Sequence, residues 1–163
     1  MYELPRPISA SDDVATFDSG EPALDEYVRR RALINHLAGA SRTYVASHDG
    51  RVVGYYALAS ASITRGATPG RVRRNMPEPI PALLISRLAV DRGEQGNRLG
   101  AHLLRDAILR CVRVADEIGV RVILVHALHD RARGFYEHFD FEPSPTDPLH
   151  LMLLIKDVAR LLG

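Results

Sequence analysis

Arg87-Leu-Ala-Val-Asp91 runs on, after a three-residue gap, into Gln95-Gly-Asn-Arg-Leu-Gly-Ala101. An apolar strand ends there in a turn of small residues, Gly93, Gly96, Asn97 and Gly100, and the turn opens a long amphipathic helix. A helix start leaves unpaired backbone N–H groups at the positive end of the macrodipole, so a turn without bulky side chains lets a pyrophosphate rest on them. Glycine in such a loop also serves backbone geometry alone, and the segment by itself fits either reading. The chain has no early G-x-G-x-x-G unit, and its only lysine is Lys156. Neither the dinucleotide fingerprint nor the Walker lysine loop is therefore present, and a nucleotide-bearing cofactor other than NAD or ATP is the expectation.

Composition bounds what surrounds this stretch. With 163 residues and 46% hydrophobic content the chain has the material for one ordinary domain, 1–163, with a proper core. Its 21 basic and 20 acidic residues give a net charge of +1, which argues against a global polyelectrolyte partner and leaves only local basic patches. A single cysteine excludes an internal disulfide framework and a multi-cysteine zinc site, and no metal is expected; Cys111 lies on the apolar side of a predicted helix and reads as core. The opening Met-Tyr-Glu-Leu-Pro-Arg-Pro lacks a secretory pattern and no apolar run approaches a membrane span, so a cytoplasmic protein is expected. Arginine's dominance over lysine is the bias a GC-rich genome produces, so only the clustering of arginines carries information.

The element order follows from periodicity. Leu24, Tyr27, Val28, Leu33, Ile34 and Leu37 fall at helical spacing and predict a helix over Glu21 to Leu37, started by Ser19, Gly20 and a proline. Arg42 to Ser47 and Val52 to Ile63 read as strands across a His48-Asp49-Gly50 hairpin turn. Arg65 to Pro81 is too punctuated by glycine and proline for regular structure beyond a short helical turn and reads as a functional loop. Ala82 to Val90 suits a buried central strand, and Leu99 to Ile118 an amphipathic helix closed by Gly119. Val120 to Leu128 predicts a second buried strand, Asp130 the cap of a helix from about Arg131 to His138, and Leu149 to Ile155 a closing strand. An amphipathic tail follows through Val158, Leu161 and Leu162.

Arg87-Leu-Ala-Val-Asp91, then Gln95-x-x-Arg-x-Gly-Ala101, then Gly134-Phe-Tyr136-Glu-His-Phe-Asp-Phe141 resemble three signatures of the GNAT N-acetyltransferases: the cofactor strand, the Q/R-x-x-G-x-G/A loop and the F-Y-x-x-x-G-F segment. More narrowly, Gly39-Ala-Ser-Arg-Thr-Tyr-Val45, Val53-Gly-Tyr-Tyr-Ala-Leu-Ala59 and Arg73-Arg-Asn-Met-Pro-Glu-Pro-Ile-Pro-Ala82 look like the TacT-type toxins of toxin–antitoxin pairs. The resemblance implies an α/β (α+β) GNAT fold, a mixed twisted sheet flanked by helices with a splayed central strand. It implies acetyl-CoA held by backbone at Leu88, Ala89 and Val90, by the loop Gln95, Gly96, Asn97, Arg98, Leu99, Gly100 and Ala101, and by Phe135. It also implies a ribbon-helix-helix antitoxin as partner, and a homodimer. Two positions depart from the pattern, since Arg98 and Asp140 stand where the family has glycine.

Acetyl transfer from a thioester needs a neutral amine, stabilisation of the oxyanion and a proton for the departing thiolate. The resemblance puts Tyr136 beside the sulfur as general acid, while its bare sequence context fits a half-buried aromatic equally well. The strand Leu83 to Val90 carries no carboxylate before Asp91. A lysine amine near pKa ~10.4 calls for a base, whereas an α-amine starts near ~7.7 and falls further when its carboxyl is esterified, so the strand favours aminoacyl-tRNA as substrate. Glu137, His126 and His129 remain open as water-relayed bases. Residues 1 to 28 hold seven acids and one arginine, and basic clusters follow: Arg29 to Arg31, then Arg71, Arg73 and Arg74, with Arg87 beyond. Of these, Arg29, Arg31, Arg71, Arg73, Arg74 and Arg87 are the candidate tRNA contacts, against the plainer reading of a solvated face. The expected function is acetylation of the aminoacyl-tRNA α-amine by a translation-inhibiting toxin; the alternative is a GNAT enzyme for a small-molecule amine or a protein N-terminus.

Overall fold

The structure is a computed structural model that describes residues 3–162, the last four as backbone, so the side chains of Leu161 and Leu162 lie outside the described residues. In chain order the elements are β1 (Arg6–Pro7), α1 (Pro22–Arg30), α2 (Ala32–Ala38), β2 (Arg42–His48), β3 (Arg51–Ile63), the one-turn α3 (Gly70–Arg73), β4 (Ile80–Val90), α4 (Leu99–Ala115), β5 (Val122–His126), α5 (Asp130–His138), β6 (Glu142–Pro143), β7 (His150–Leu154) and α6 (Ile155–Leu162). The strands form a seven-stranded mixed sheet in the order β1-β2-β3-β4-β5-β7-β6, the α/β arrangement that the family resemblance implies. The β1–β2, β2–β3, β5–β7 and β6–β7 ladders are antiparallel and the β4–β5 ladder is parallel. That parallel ladder joins Ala82–Ile85 to Val122–Val125, and β4 itself runs on to Val90.

Two compact units divide the chain, one of residues up to Ala59 with Ser86–Ala107, the other of Ser60–Ile85 with the chain from Ile108 onward. In the first, Val52 to Ala57 of β3 are all buried, so both faces of this strand are covered. Phe17, Tyr27, Val28, Ala32, Val45, Tyr55 and Ala89 form its apolar core, with the Phe17 and Tyr55 rings edge to face at 5.6 Å. The expected Asp49-Gly50 hairpin is present with φ of 51° and 80°, the left-handed pair that a type I′ turn demands. Instead of one helix over Glu21 to Leu37, the chain makes two, divided at Arg31, whose φ of −118° and ψ of −30° depart from ideal helical values while staying right-handed. Ser19 does not cap the start; its N–H and hydroxyl donate to buried Asp25 at 2.8 and 2.6 Å, and Glu21 takes the cap position. That exchange satisfies a buried carboxylate, which outranks an exposed helix end.

In the second unit Ile63, Val72, Ile80, Ala82, Val122, Leu124, Met152 and Leu154 form the core. The punctuated Arg65 to Pro81 stretch holds a 3-10 turn at Arg65–Ala67, then α3, and β4 starts two residues earlier than expected at Ile80. The helix expected to reach Ile118 ends at Ala115, and β5 is shorter than the Val120 to Leu128 run, because Val120, Leu128 and Ile118 are not buried. Strands β1 and β6, two residues each, escaped prediction because such stubs have no period to read. Cys111 is fully buried, and burial pushes its thiol up to about 12, so it is the core residue expected.

Candidate functional site

Strand β4 delivers its last residues to the loop with Ala89 buried and Leu88 and Val90 half-buried. The adjoining carboxylate, Asp91, is buried and fully engaged: it accepts from the Asp18 N–H at 3.0 Å and the Gly93 N–H at 3.1 Å, and lies 3.7 Å from the Arg51 guanidinium. Its own N–H donates to the Val53 carbonyl at 2.8 Å. Asp91 therefore shapes the turn and is not a free base. The Gln95 side-chain amide donates to the Ser19 and Val90 carbonyls at 3.0 Å each, pinning the loop against its own strand. Gly96 follows at φ 89° with open space where a Cβ would stand, and the Asn97 amide donates to Glu94 at 3.3 Å.

At α4 the ladder begins with the His102 N–H donating to the Arg98 carbonyl at 3.1 Å, so the N–H groups of Leu99, Gly100 and Ala101 precede the helical bonding and are left for a ligand or water. These groups, at the positive end of a 17-residue helix and flanked by exposed Gly96, Asn97 and Arg98, fit the pyrophosphate of a CoA molecule. The helix is held close to β3 by Gly54: a Cβ there would stand 2.9 Å from Leu103 Cδ1 and 3.1 Å from Leu99 Cδ2. Sequence reading did not single out Gly54, because a lone glycine inside a strand gives no sign of what approaches it.

Arg98, the first departure from the family pattern, adopts the left-handed conformation its glycine counterpart would, at φ 63°. The loop geometry survives and the side chain carries the strain, about 1–2 kcal/mol for a residue with a Cβ. Arg98→Gly is expected to leave the melting temperature unchanged or slightly raised, because relief of that strain is offset by roughly 0.5–1 kcal/mol of glycine backbone entropy. A thermal melt that falls by several degrees would show that the side chain, and not the backbone, holds the turn.

The second unit carries the aromatic segment. Helix α5 is capped by His129, whose Nδ1 accepts from the Ala132 N–H at 3.1 Å, so Asp130 is the first helical residue and not the cap. At its other end the Phe141 N–H donates to the Tyr136 carbonyl at 3.2 Å and the Asp140 N–H to the Glu137 carbonyl at 3.0 Å, with Asp140 left-handed at φ 70°. This is a Schellman cap, completed by the Tyr136 and Phe141 rings packed edge to face at 5.6 Å. The spacing F-Y-x-x-x-G-F is thus the spacing of a helix end, and aspartate, which tolerates left-handed backbone better than most residues, takes the glycine place. Tyr136 is 7% exposed, and burial pushes its hydroxyl up to about 12. Phe135 lies beside it, ring centroids 5.2 Å apart.

The arginines differ in what holds them. The Arg29 guanidinium donates to the Phe17 carbonyl, and Arg31 stands exposed at the helix break. Arg87 sits with its guanidinium 3.8 Å from the centroid of the Tyr27 ring, a cation–π contact inside the first unit. Arg71 pairs with Asp157 at 2.7 Å and Glu142 at 3.4 Å, and the Asp157 hydrogen bond raises its pKa further. Arg73 donates to the Thr68 carbonyl at 2.8 Å, and Arg74 is exposed at the end of α3. Among the described residues no group of three or more His, Cys, Asp or Glu is placed to hold a metal ion, and no helix is long and apolar enough to cross a membrane.

Comparison with known proteins agrees with this fold. Residues 39–143 match the model of the acetyltransferase (GNAT) domain. The chain is 67% identical over 162 residues, covering 99% of it and 98% of the relative, to a tRNA-acetylating toxin of Mycobacterium tuberculosis (strain ATCC 25618 / H37Rv). Among solved structures it resembles AtaT complexed with acetyl-methionyl-tRNAfMet, at 26% identity and a TM-score of 0.91 over 100% of both chains. It also resembles a tyrosine-to-phenylalanine mutant of the AtaT toxin bound to the C-terminus of the antitoxin AtaR and acetyl-CoA, at 25% identity and a TM-score of 0.85 over 99% and 98% of the two chains. The chain belongs to the GNAT acetyltransferases, and its kinship within that family is with the TacT-type toxins.

Proposed function

We propose that this chain transfers the acetyl group of acetyl-CoA to the α-amino group of an aminoacyl-tRNA and so withdraws that tRNA from translation. The observation that carries the reading is the commitment of Asp91 to two backbone N–H groups and Arg51, which leaves β4 without a strong base at its functional end. An α-amine beside an ester has a substantial neutral fraction near pH 7 and tolerates that lack, whereas a lysine amine does not. The tRNA-acetylating relative at 67% identity supports the same substrate.

Bound acetyl-CoA supplies the thioester acyl group. The N–H groups of Leu99, Gly100 and Ala101, with the Arg98 charge, would hold the pyrophosphate, and the backbone of Leu88, Ala89 and Val90 would align the pantetheine arm and meet the negative charge that develops on the carbonyl. Phe135 is assigned to the cofactor together with Tyr136, whose ring its own meets at 5.2 Å. Tyr136, protonated throughout the physiological range because burial penalises its anion, gives its proton to the departing sulfur. Incubation with labelled acetyl-CoA and charged tRNA tests the reading directly: label is expected on the aminoacyl group, and its absence would overturn it.

Arg29, Arg31, Arg73, Arg74 and Arg87 are assigned to the tRNA backbone, with Arg73 and Arg74 foremost, since Arg71 already holds two carboxylates. Arg73→Glu with Arg74→Glu is expected to raise KM for charged tRNA about tenfold at moderate salt, and to flatten the salt dependence of KM by about two phosphate contacts, with the KM for acetyl-CoA unchanged. An antitoxin as partner belongs to the same proposal, supported by the AtaT structure bound to the antitoxin AtaR; a ribbon-helix-helix fold for that partner, a homodimer as the active form and the cytoplasm as the place of action rest on the family resemblance of the motifs.

A further inference from the structure

Three side chains compete to accept a proton from the substrate nitrogen, and the structure separates them. Glu137 pairs with Arg133 at 3.3 Å, and His129 spends Nδ1 on the cap of α5. His126 is different. It is exposed, it closes β5, and it follows Val125, whose rung with Ile85 is the last of the parallel ladder. Across the antiparallel ladder it faces His150, and the two imidazoles stack with centroids 4.0 Å apart and planes inclined by 24°. His150 Nε2 lies 3.4 Å from Asp147 Oδ2, and Asp147 is itself fixed by the Leu149 N–H donating to Oδ1 at 3.0 Å. The result is a carboxylate–imidazole–imidazole row ending in one exposed ring.

We propose that His126 accepts the proton of the substrate's α-ammonium, with His150 and Asp147 as positioning residues that hold its ring by stacking and by ion pairing. The inference rests on the acetyl-transfer reading above. The protons balance as follows: the ammonium loses one proton to His126, the neutral nitrogen forms its bond to the acyl carbon, and the carbon–sulfur bond breaks. Tyr136 protonates the sulfur and recovers its proton from the nitrogen, and the His126 proton passes to solvent. A substrate that arrives neutral needs only the Tyr136 exchange, so His126 matters below the amine's own pKa. The titratable groups acting on His126 are His150 and Asp147; partial desolvation of the otherwise exposed ring and then His150 hold it below the ordinary imidazole value, which outweighs the opposing pull of Asp147 and keeps it an acceptor at neutral pH.

The test is the pH profile of kcat/KM for acetyl transfer to charged tRNA, from about pH 5.5 to about pH 9, for the wild type, His126→Gln and His150→Gln, with acetyl-CoA binding and melting temperature measured alongside. For His126→Gln the acid limb is expected to move up by about one pH unit, with a loss of roughly tenfold or more near pH 6, little loss near pH 9, and partial rescue by added imidazole. His150→Gln, which removes the stack and leaves the acceptor, is expected to shift the acid limb up less and to keep the alkaline rate. A wild type that transfers no label would overturn the substrate reading and this inference with it. An active wild type with a superimposable His126→Gln profile, or a uniform loss at every pH without imidazole rescue, overturns this inference alone. Should His126→Gln melt early, an unshifted acid limb in a well-folded His150→Gln does the same.

Discussion

Tyr136→Phe is expected to lower kcat for acetyl transfer to charged tRNA by about 10²–10⁴-fold, the range of a lost general acid, while acetyl-CoA binding stays within about twofold. The substitution removes one oxygen and leaves the ring, so the edge-to-face contacts with Phe135 and Phe141 and the Schellman cap that depends on them persist. Stability is then unchanged, and the loss lies in the chemistry. The pH dependence has a definite sign. Burial disfavours the phenolate, so the hydroxyl remains protonated up to about 12, and the wild-type rate shows no alkaline limb from this group below that value. Single-turnover rates with labelled acetyl-CoA, combined with equilibrium binding, separate the two parameters. Transfer reduced less than about tenfold would remove Tyr136 from the acid role.

Gly54→Val is expected to destabilise the protein by about 3 kcal/mol and to weaken acetyl-CoA binding by on the order of tenfold. A single Cβ at this position already stands 2.9 Å from Leu103 Cδ1 and 3.1 Å from Leu99 Cδ2, and the Ala89 carbonyl lies 3.5 Å away. Leu103 is fully buried and Leu99 nearly so, which leaves them no room to yield. Valine adds two further methyl groups, so α4 must lift from β3 at its first turn. That turn carries the N–H groups assigned to the pyrophosphate, which is why stability and binding should fall together. Gly54→Ala is the graded control, with a loss of about 1 kcal/mol, since only Leu side-chain ends are met. Denaturant unfolding and acetyl-CoA titration on the same samples check both effects, and a Gly54→Val protein that is destabilised yet binds normally would detach the loop from its support.

Much of this was legible in the residues. The order of strand, small-residue turn and amphipathic helix at Arg87 to Ala101 is a matter of local period and turn chemistry, and it appears in the structure where the pattern put it. The Asp49-Gly50 hairpin is equally local, because only left-handed residues fit its turn. Helix ends were less legible. His129 caps α5 in place of Asp130, and Arg31 breaks what reads as one helix, because several neighbouring residues can serve as a boundary and long-range packing chooses among them.

The amino-acid order by itself therefore determined the order of the longer elements, the small-residue loop before α4, the place of the candidate tyrosine and the lack of a carboxylate within β4, since each depends on residues a few positions apart. Only the tertiary structure decided which polar groups are already committed. Asp91 is tied to Asp18 from 73 residues away, Arg71 to Glu142 and Asp157, Arg87 to the Tyr27 ring, and His126 to His150 across a ladder. A side chain's availability depends on what folding brings against it, and those partners come from distant segments with no period connecting them. The left-handed Arg98 and Asp140 show the two levels together: the backbone conformation follows the family's turn, while the residue that fills it is this chain's own.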